Sequence, residues 1–224
     1  MIDKTNSSEK DSVFIKEYNV NERYYSITFK DSLTYYGTGK FNSLEKFDEI
    51  DLPSGTIIEK YGFYENVKDS LRLNAYLFAN RSFIYFKLSG EKIVLANMNK
   101  DCIEIFDLKE GKSKLISGPE RYQVMYNSTG KGENSMMEPN KDTRYAFVGG
   151  TVSNEYIYLV YSGGKMLNDE NPYFGKSIYI YDWNGNPIRQ LNFTQEILGL
   201  AISKNNDLIF TYDANNGYII KAKI

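Results

Sequence analysis

Two stretches of the chain carry the same alternation of apolar and polar positions. Glu91-Lys92-Ile93-Val94-Leu95-Ala96-Asn97 leads into Cys102-Ile103-Glu104-Ile105-Phe106-Asp107, and Glu155-Tyr156-Ile157-Tyr158-Leu159-Val160-Tyr161 leads into Ser177-Ile178-Tyr179-Ile180-Tyr181-Asp182. Each is a polar turn, an apolar run, a polar connection and an alternating strand that ends in Asp. A third copy closes the chain, with Asp207-Leu208-Ile209-Phe210-Thr211-Tyr212 followed by Gly217 to Ile224. Repetition of this kind predicts an all-β fold, a β-propeller of four-stranded antiparallel blades, because each blade must meet the same neighbours as the last.

Further strands follow from the same alternation and from the turns that bound it. Tyr25 to Lys30, Leu33 to Gly37, Glu45 to Leu52 and Thr56 to Gly62 make a first, degenerate blade, with Pro53-Ser54-Gly55 as a breaker. A second unit spans Asn74 to Gly118, with strands at Ser82 to Leu88, Lys92 to Asn97, Cys102 to Leu108 and Ser113 to Ser117. The third has Tyr145 to Gly149, Glu155 to Tyr161, Ser177 to Asp182 and Pro187 to Phe193. Its last pair is joined by Asn184-Gly185, residues that tolerate the positive φ of a tight hairpin. The fourth holds Leu198 to Ser203, Asp207 to Tyr212 and Gly217 to Ile224, one strand short. A ring has to join its first blade to its last, and the spare stretch Val13 to Tyr18 is expected to supply the outer strand of the last blade.

Blade spacing is uneven. From Ile178 to Tyr218 is 40 residues, whereas from Ile103 to Ile178 is 75. The excess lies in Pro119 to Asp142 and Gly163 to Gly175, long loops of the kind that carry function, and Pro119 to Asp142 alternatively hides an eroded fifth blade. Residues Met1 to Asp11 hold too few apolar side chains to offset the entropy of ordering them and read as a flexible lead. Residues 12–224 read as a single propeller domain.

Composition agrees with sheet and narrows the partners. Aromatics are 15% of 224 residues, with 20 Tyr and 13 Phe against one Trp, which suits pleated strands. Formal net charge is −2, so the balance that drives binding to nucleic acid is missing. Cys102 is the single cysteine; it excludes an internal disulfide and a thiolate cluster, and reads as a packed core side chain. No run approaches the ~20 apolar residues of a membrane helix, and Met1 to Ser12 lacks the apolar stretch of a secretion signal.

The chain has no histidine. Ser-His-Asp triads, Cys-His dyads and His-bearing zinc sites are thereby excluded, and no cofactor is implied. Carboxylate pairs remain: Asp48, Glu49 and Asp51 cluster, as do Asp169 and Glu170. On a regular strand Asp48 and Glu49 point to opposite faces, and the expected role for both is a solvated sheet edge. Asp182, Asn184 and Asn186 offer alternating oxygens as a calcium loop does, but the bidentate Glu that completes one is missing, and a turn accounts for them. Gly130-Lys131-Gly132-Glu133-Asn134-Ser135 lacks the order of a phosphate loop. Asn127-Ser128-Thr129 and Asn192-Phe193-Thr194 match the glycan acceptor triplet at the level of chance. Met136-Met137 is expected to pack down on the propeller. Tyr122, Tyr126, Tyr161 and Tyr173 fall in or beside the two long loops, where rigid amphipathic rings suit recognition. The candidate ligand-binding stretch is Tyr161, Ser162, Gly163 and Gly164, set against strand-end packing and a turn.

Gly118-Pro119-Glu120, the strand Tyr145 to Val148, Tyr156-Ile157-Tyr158 with Tyr161-Ser162-Gly163-Gly164, and above all Ser177-Ile178-Tyr179-Ile180-Tyr181-Asp182-Trp183-Asn184-Gly185-Asn186-Pro187 resemble the TolB-like six-bladed propeller family of bacterial exported proteins. The resemblance is densest over residues 118–224. It implies six blades and attachment at the bacterial envelope as a lipoprotein, in the periplasm or at the outer-membrane surface. At ~40 residues per blade the sequence holds fewer than six, which leaves a smaller ring or a missing N-terminal part. The family carries no catalytic set to transfer. The expected function is a non-enzymatic binding module for a protein, peptide or glycan at one propeller face; the alternative is a carboxylate-based hydrolase or lyase acting on a glycan.

Overall fold

Alternate residues of a single strand enter different cores, and this sorts the chain into four sheets. The computed structural model describes residues 16–65, 67 and 69–224. The first sheet comprises β1 (Ser26–Phe29), β2 (Thr34–Thr38), β3 (Glu45–Asp51) and β4 (Ile57–Phe63). A short helix, α1 (Leu73–Ala79), precedes the second sheet of β5 (Ser82–Phe86), β6 (Lys92–Asn97), β7 (Cys102–Asp107) and β8 (Lys112–Ser117). A small hairpin of β9 (Asn127–Thr129) and β10 (Met136–Glu138) follows. The remaining strands, β11 (Phe147–Val152), β12 (Tyr156–Tyr161), β13 (Gly175–Asp182), β14 (Pro187–Ile202), β15 (Leu208–Asp213) and β16 (Tyr218–Lys223), form one continuous ladder. That ladder is two blades sharing β14. Its residues up to Asn192 pair with β13 and those from Ile197 onward with β15, and the chain between them loops out of register. The fourth blade therefore has three strands.

Each run of the repeat serves two interfaces. On β6, Ile93 and Leu95 join Tyr36, Phe47, Ile84, Phe86 and Phe106 between the first and second sheets. Val94 and Ala96 on the same strand join Ile103, Ile105, Phe147, Ile157, Leu159, Tyr181 and Trp183 between the second and third. On β12, Ile157 and Leu159 face the second sheet, whereas Tyr158 and Val160 meet Val148, Ile178, Ile180, Ile197 and Ile209 towards the fourth. A sheet covered on both faces needs near-continuous apolar strands, and those are the runs visible in the sequence. The inner strands follow one another around an axis, β1 against β5, β5 against β11 and β11 against β14. This is propeller packing, with four blades among the described residues. Pro119 to Asp142 is not an eroded fifth blade, because it contains only the β9–β10 hairpin, seated on α1.

The aspartates that end the repeat are turn formers. Asp51, Asp107 and Asp182 close the third strand of their sheets, and their carboxylates accept from the backbone of Ser54, of Glu110, and of Asn184 and Asn186. The hairpin expected at Asn184-Gly185 lies there, but it spans four residues, closed by Asp182 N–H to the Asn186 carbonyl, and only Gly185 takes positive φ, 82°. A Cβ at Gly185 would fall 2.7 Å from the Ile116 side chain, so both conformation and space demand glycine.

Two expectations fail at the first sheet. Lys16 to Tyr18 is not a strand, and Val13 to Ile15, like the lead Met1 to Asp11, lies outside the described residues. The chain that follows crosses the first sheet, not the last: Tyr24 lies over Gly37, whose added Cβ would meet the ring at 2.5 Å, and Asn19 and Asn21 reach Gly55. Asp48 and Glu49 do point to opposite faces, yet both are buried, at 2% and 6% exposure, and neither is a solvated edge. Tyr24 donates to Asp48 at 2.7 Å beneath the crossing segment, and Lys30 and Tyr61 donate to Glu49 at 2.7 and 2.9 Å. Side chains from other strands have closed over positions that local pattern would leave wet.

Removing the Tyr24 hydroxyl leaves a buried carboxylate short of its donor. Tyr24→Phe is expected to cost about 1–3 kcal/mol of unfolding free energy in a urea titration; an unchanged midpoint would show that the crossing segment does not hold the first sheet. Partial burial raises the Asp182 carboxyl, but donors from Asn186, Asn184 and Gly185 outweigh it and hold it below the usual range. Such a group stabilises the fold above its unfolded-state pKa, and the contribution disappears as pH falls through the folded value. Asp182→Ala should accordingly lower Tm at neutral pH by about 2–4 °C, the shift that ~1 kcal/mol gives in a chain of this size, and the gap from wild type should close in acid. A gap of constant size down to pH 2 would assign the loss to packing.

Candidate binding face

Connections in an antiparallel sheet alternate between its two ends, so the links β2–β3, β4–β5, β6–β7, β8–β11 and β12–β13 all leave at one end of the blades. That end carries α1, the β9–β10 hairpin and both long loops. A backbone hydrogen bond ties the second blade to the third here, from Ala146 N–H to the Met98 carbonyl at 2.7 Å, while Met98 N–H extends the β5–β6 ladder to the Arg81 carbonyl at 3.0 Å. We call it the mouth face.

Asp101 fixes its outer wall. Burial raises this carboxyl, against the backbone N–H groups of Arg121 and Glu120, which donate to its Oδ2 at 2.5 and 2.6 Å. Gly118 must be glycine here because a Cβ would overlap the Asp101 carboxylate. Latched this way, Glu120 meets Arg144 at 2.6 Å and accepts from the Tyr161 hydroxyl at 3.1 Å. Arg144 also lies 4.4 Å over the Tyr122 ring and donates from Nε to the Gly163 carbonyl at 2.8 Å. Tyr122 in turn donates to the Tyr145 carbonyl at 2.7 Å.

Of the residues singled out in the sequence, Tyr161 is buried at 5% exposure, packed edge-on against Phe147 and Tyr179 with its hydroxyl on Glu120. Ser162 donates to the Pro172 carbonyl at 2.5 Å and accepts from Gly164 N–H at 3.0 Å. Gly163 has φ 70°, and the Gly164 carbonyl accepts from Tyr145 N–H. The four residues thus anchor the loop that delivers Tyr173. Tyr173 meets Tyr145 edge to face at 5.3 Å, beside Tyr25 and Arg81. Burial raises the phenols of Tyr25, Tyr145 and Tyr173, and the Arg81 charge opposes the rise in all three. Tyr25, Tyr145 and Arg81 were not picked out in the sequence. Their shared signal is position, since Tyr25 and Arg81 immediately precede inner strands and Tyr145 lies two residues before one.

A cavity of about 480 Å³ between the first and second sheets holds the acidic residues Glu65 and Glu104. Glu104 is committed to Lys46 at 2.7 Å and to the Ser113 hydroxyl at 2.7 Å. In the same cavity burial pushes the Cys102 thiol up to about 12, so it stays protonated and non-nucleophilic near neutrality. Both carboxylate oxygens of Asp182 accept within its own turn, and among the described residues no group of three or more Asp, Glu, Cys or His could hold a metal ion. Replacing Asp101 by Ala should release the latch while leaving the blades intact. Amide hydrogen exchange at Glu120 and Arg121 is expected to accelerate by at least about tenfold, the factor that ~1.4 kcal/mol produces, with β12 and β13 unchanged; unaltered protection would show that the wall does not depend on this carboxylate.

Comparison with known proteins agrees with the architecture. The TolB-like 6-blade propeller-like family model matches residues 14–205. Among solved structures, the RRP9 WD40 repeats superpose with a TM-score of 0.50 at 10% identity, covering 93% of this chain and 50% of that one. The Myceliophteria thermophila Cps50 (Swd1) β-propeller domain gives 0.49 at 11% identity, covering 91% and 51%. The chain thus spans about half the length of each, and at 10% identity the likeness to the RRP9 repeats concerns fold. No curated protein matches. With its repeated strands, its radially stacked sheets and a family match over most of its length, the chain belongs to the TolB-like six-bladed-propeller-like family.

Proposed function

We propose that the protein is a non-enzymatic binding module of the bacterial cell envelope that receives a partner protein or peptide on its mouth face. The observation that carries this reading is the gathering of α1, the β9–β10 hairpin and both long loops at one end of the blades, around Tyr25, Arg81, Tyr145 and Tyr173. Rigid aromatic side chains held by a stiff scaffold lose little entropy on binding, and loops on such scaffolds are where recognition concentrates. Tyr161, Ser162, Gly163 and Gly164 serve this face by positioning the loop that bears Tyr173. In the cavity between the first and second sheets Glu104 is paired with Lys46 and the Cys102 thiol stays protonated, which favours binding over hydrolysis. The family supports an envelope location; no helix among the described residues is long and apolar enough to cross a membrane.

The reading is tested by placing a photo-crosslinking amino acid at exposed positions of each face in the protein's cells of origin. Met136 and Leu167 sample the mouth face, and Leu88 and Asn184 the opposite one. Discrete crosslinked protein bands are expected from the first pair only. Bands of equal strength from Leu88 and Asn184, or none from Met136 and Leu167, would overturn it.

A further inference from the structure

Among the described residues Arg81 has no counter-ion. Its guanidinium lies 4.0 Å from the Phe78 ring and 4.6 Å from the Tyr25 ring, so aromatic faces cover it. Its Nε is buried with no hydrogen-bond partner, and it takes part in none of the ion pairs among the described residues. The groups around it are phenols and a thioether: Tyr25, whose hydroxyl donates to Met98 Sδ at 3.1 Å, with Tyr145 and Tyr173. Three other half-buried cations are neutralised, Lys46 by Glu104, Arg144 by Glu120 and Lys40 by Glu22, whereas half-buried Lys87 and Lys92 lie against Trp183, over its ring and on its carbonyl, without an ion pair among the described residues. Stripping water from a guanidinium and leaving its donors empty is unfavourable, and an acceptor supplied from outside would relieve the cost.

Beside Arg81 a cavity of about 250 Å³ opens on the mouth face, walled by Tyr24, Tyr25, Phe41, Leu77 and Phe78. Exposed Arg23 stands at its edge as a second guanidinium. The chemistry is an apolar slot with a planar donor fork at its base. A carboxylate matches that fork with two parallel hydrogen bonds. The hydrocarbon of an acidic residue and an apolar neighbour would fill the walls. A phosphate dianion would bring two charges and a larger desolvation cost against one buried guanidinium, in a lining with few other donors.

We infer that this pocket binds a carboxylate-bearing segment of a partner polypeptide, with Arg81 gripping the carboxylate and Arg23 attracting it. The inference rests on the mouth face being the binding face, and it names the chemistry recognised there. Exposed charges such as Arg23 act mainly on encounter, whereas a buried, stacked guanidinium determines how long the complex lasts.

The test uses the full chain labelled with ¹⁵N, following the Arg81 Nε–Hε resonance, assigned by its absence in Arg81→Lys. The probes are acetyl-Phe-Glu-Phe-amide, its neutral isostere acetyl-Phe-Gln-Phe-amide, and inorganic phosphate at matched ionic strength. A saturable shift is expected with the Glu peptide, with affinity at least about tenfold weaker for the Gln peptide. Arg81→Lys keeps the charge but loses the fork; its binding is read from the backbone amide shifts of Tyr25 and Phe78, which line the pocket, and should weaken for the Glu peptide by a similar factor, while Arg23→Gln should weaken it by about two- to fivefold, as rim charges do. Equal binding of the Glu and Gln peptides, wild-type binding by a folded Arg81→Lys, tighter binding of phosphate, or no saturable shift would each overturn the inference. If crosslinking from Met136 and Leu167 persists in any of those cases, the binding-face reading stands and only the carboxylate is lost.

Discussion

A twisted sheet with two apolar faces is stable only when both are covered, and this requirement organises the whole molecule. The second and third sheets meet it by standing between neighbours, so that Ile93 and Leu95 turn one way, Val94 and Ala96 the other, and nothing on β6 is left for solvent. Burial at about 25 cal/mol per Å² rewards this stacking along every strand of the repeat. The first sheet has a neighbour on one side only. The segment that carries Tyr24 covers part of its other face, over Gly37 and Asp48, which explains why Asp48 is buried there beside a phenol donor, while Ile27 and Phe29 on β1 stay exposed.

Radial stacking has a second consequence. Because every blade presents the same end of its antiparallel ladder in the same direction, insertions at that end accumulate on one face without disturbing the cores. The β9–β10 hairpin illustrates this. It extends from the link between the second and third sheets, yet it packs on α1 from the link between the first and second, where Asn74 donates to the Glu133 carbonyl at 3.0 Å and the Ser135 hydroxyl accepts from Ala75 N–H. Neighbouring insertions support one another, and the blades beneath remain regular.

Electrostatics on the mouth face divide into two kinds. In the outer wall, Asp101 accepts from the backbone of Glu120 and Arg121 and Glu120 pairs with Arg144, contacts made within the chain that shape a loop. At the centre Arg81 is surrounded by rings and hydroxyls, with aromatic faces in place of a counter-charge. Charges partnered within the chain, as in the first kind, hold structure, and a charge faced by rings, as in the second, keeps donors open to an acceptor from outside.

Sequence alone determined the strands, the turn chemistry and the fold class, because the information for these lies within a few residues. Period-two alternation marks a strand, a continuous apolar run marks one covered on both faces, and the Asp-Trp-Asn-Gly-Asn-Pro stretch marks a hairpin. Several matters were decided only by tertiary structure, since they depend on partners far away in the chain. Helix α1, with the sequence LNAYLFA, is a short apolar run whose form is settled by what docks on it. Asp48 and Glu49 became interior residues through Tyr24, Lys30 and Tyr61. Tyr161 turned its hydroxyl to Glu120, 41 positions away. Tyr173 stands out in the sequence by its place in a long loop, but only the stacking of blades about an axis makes Tyr25, Arg81 and Tyr145 its neighbours.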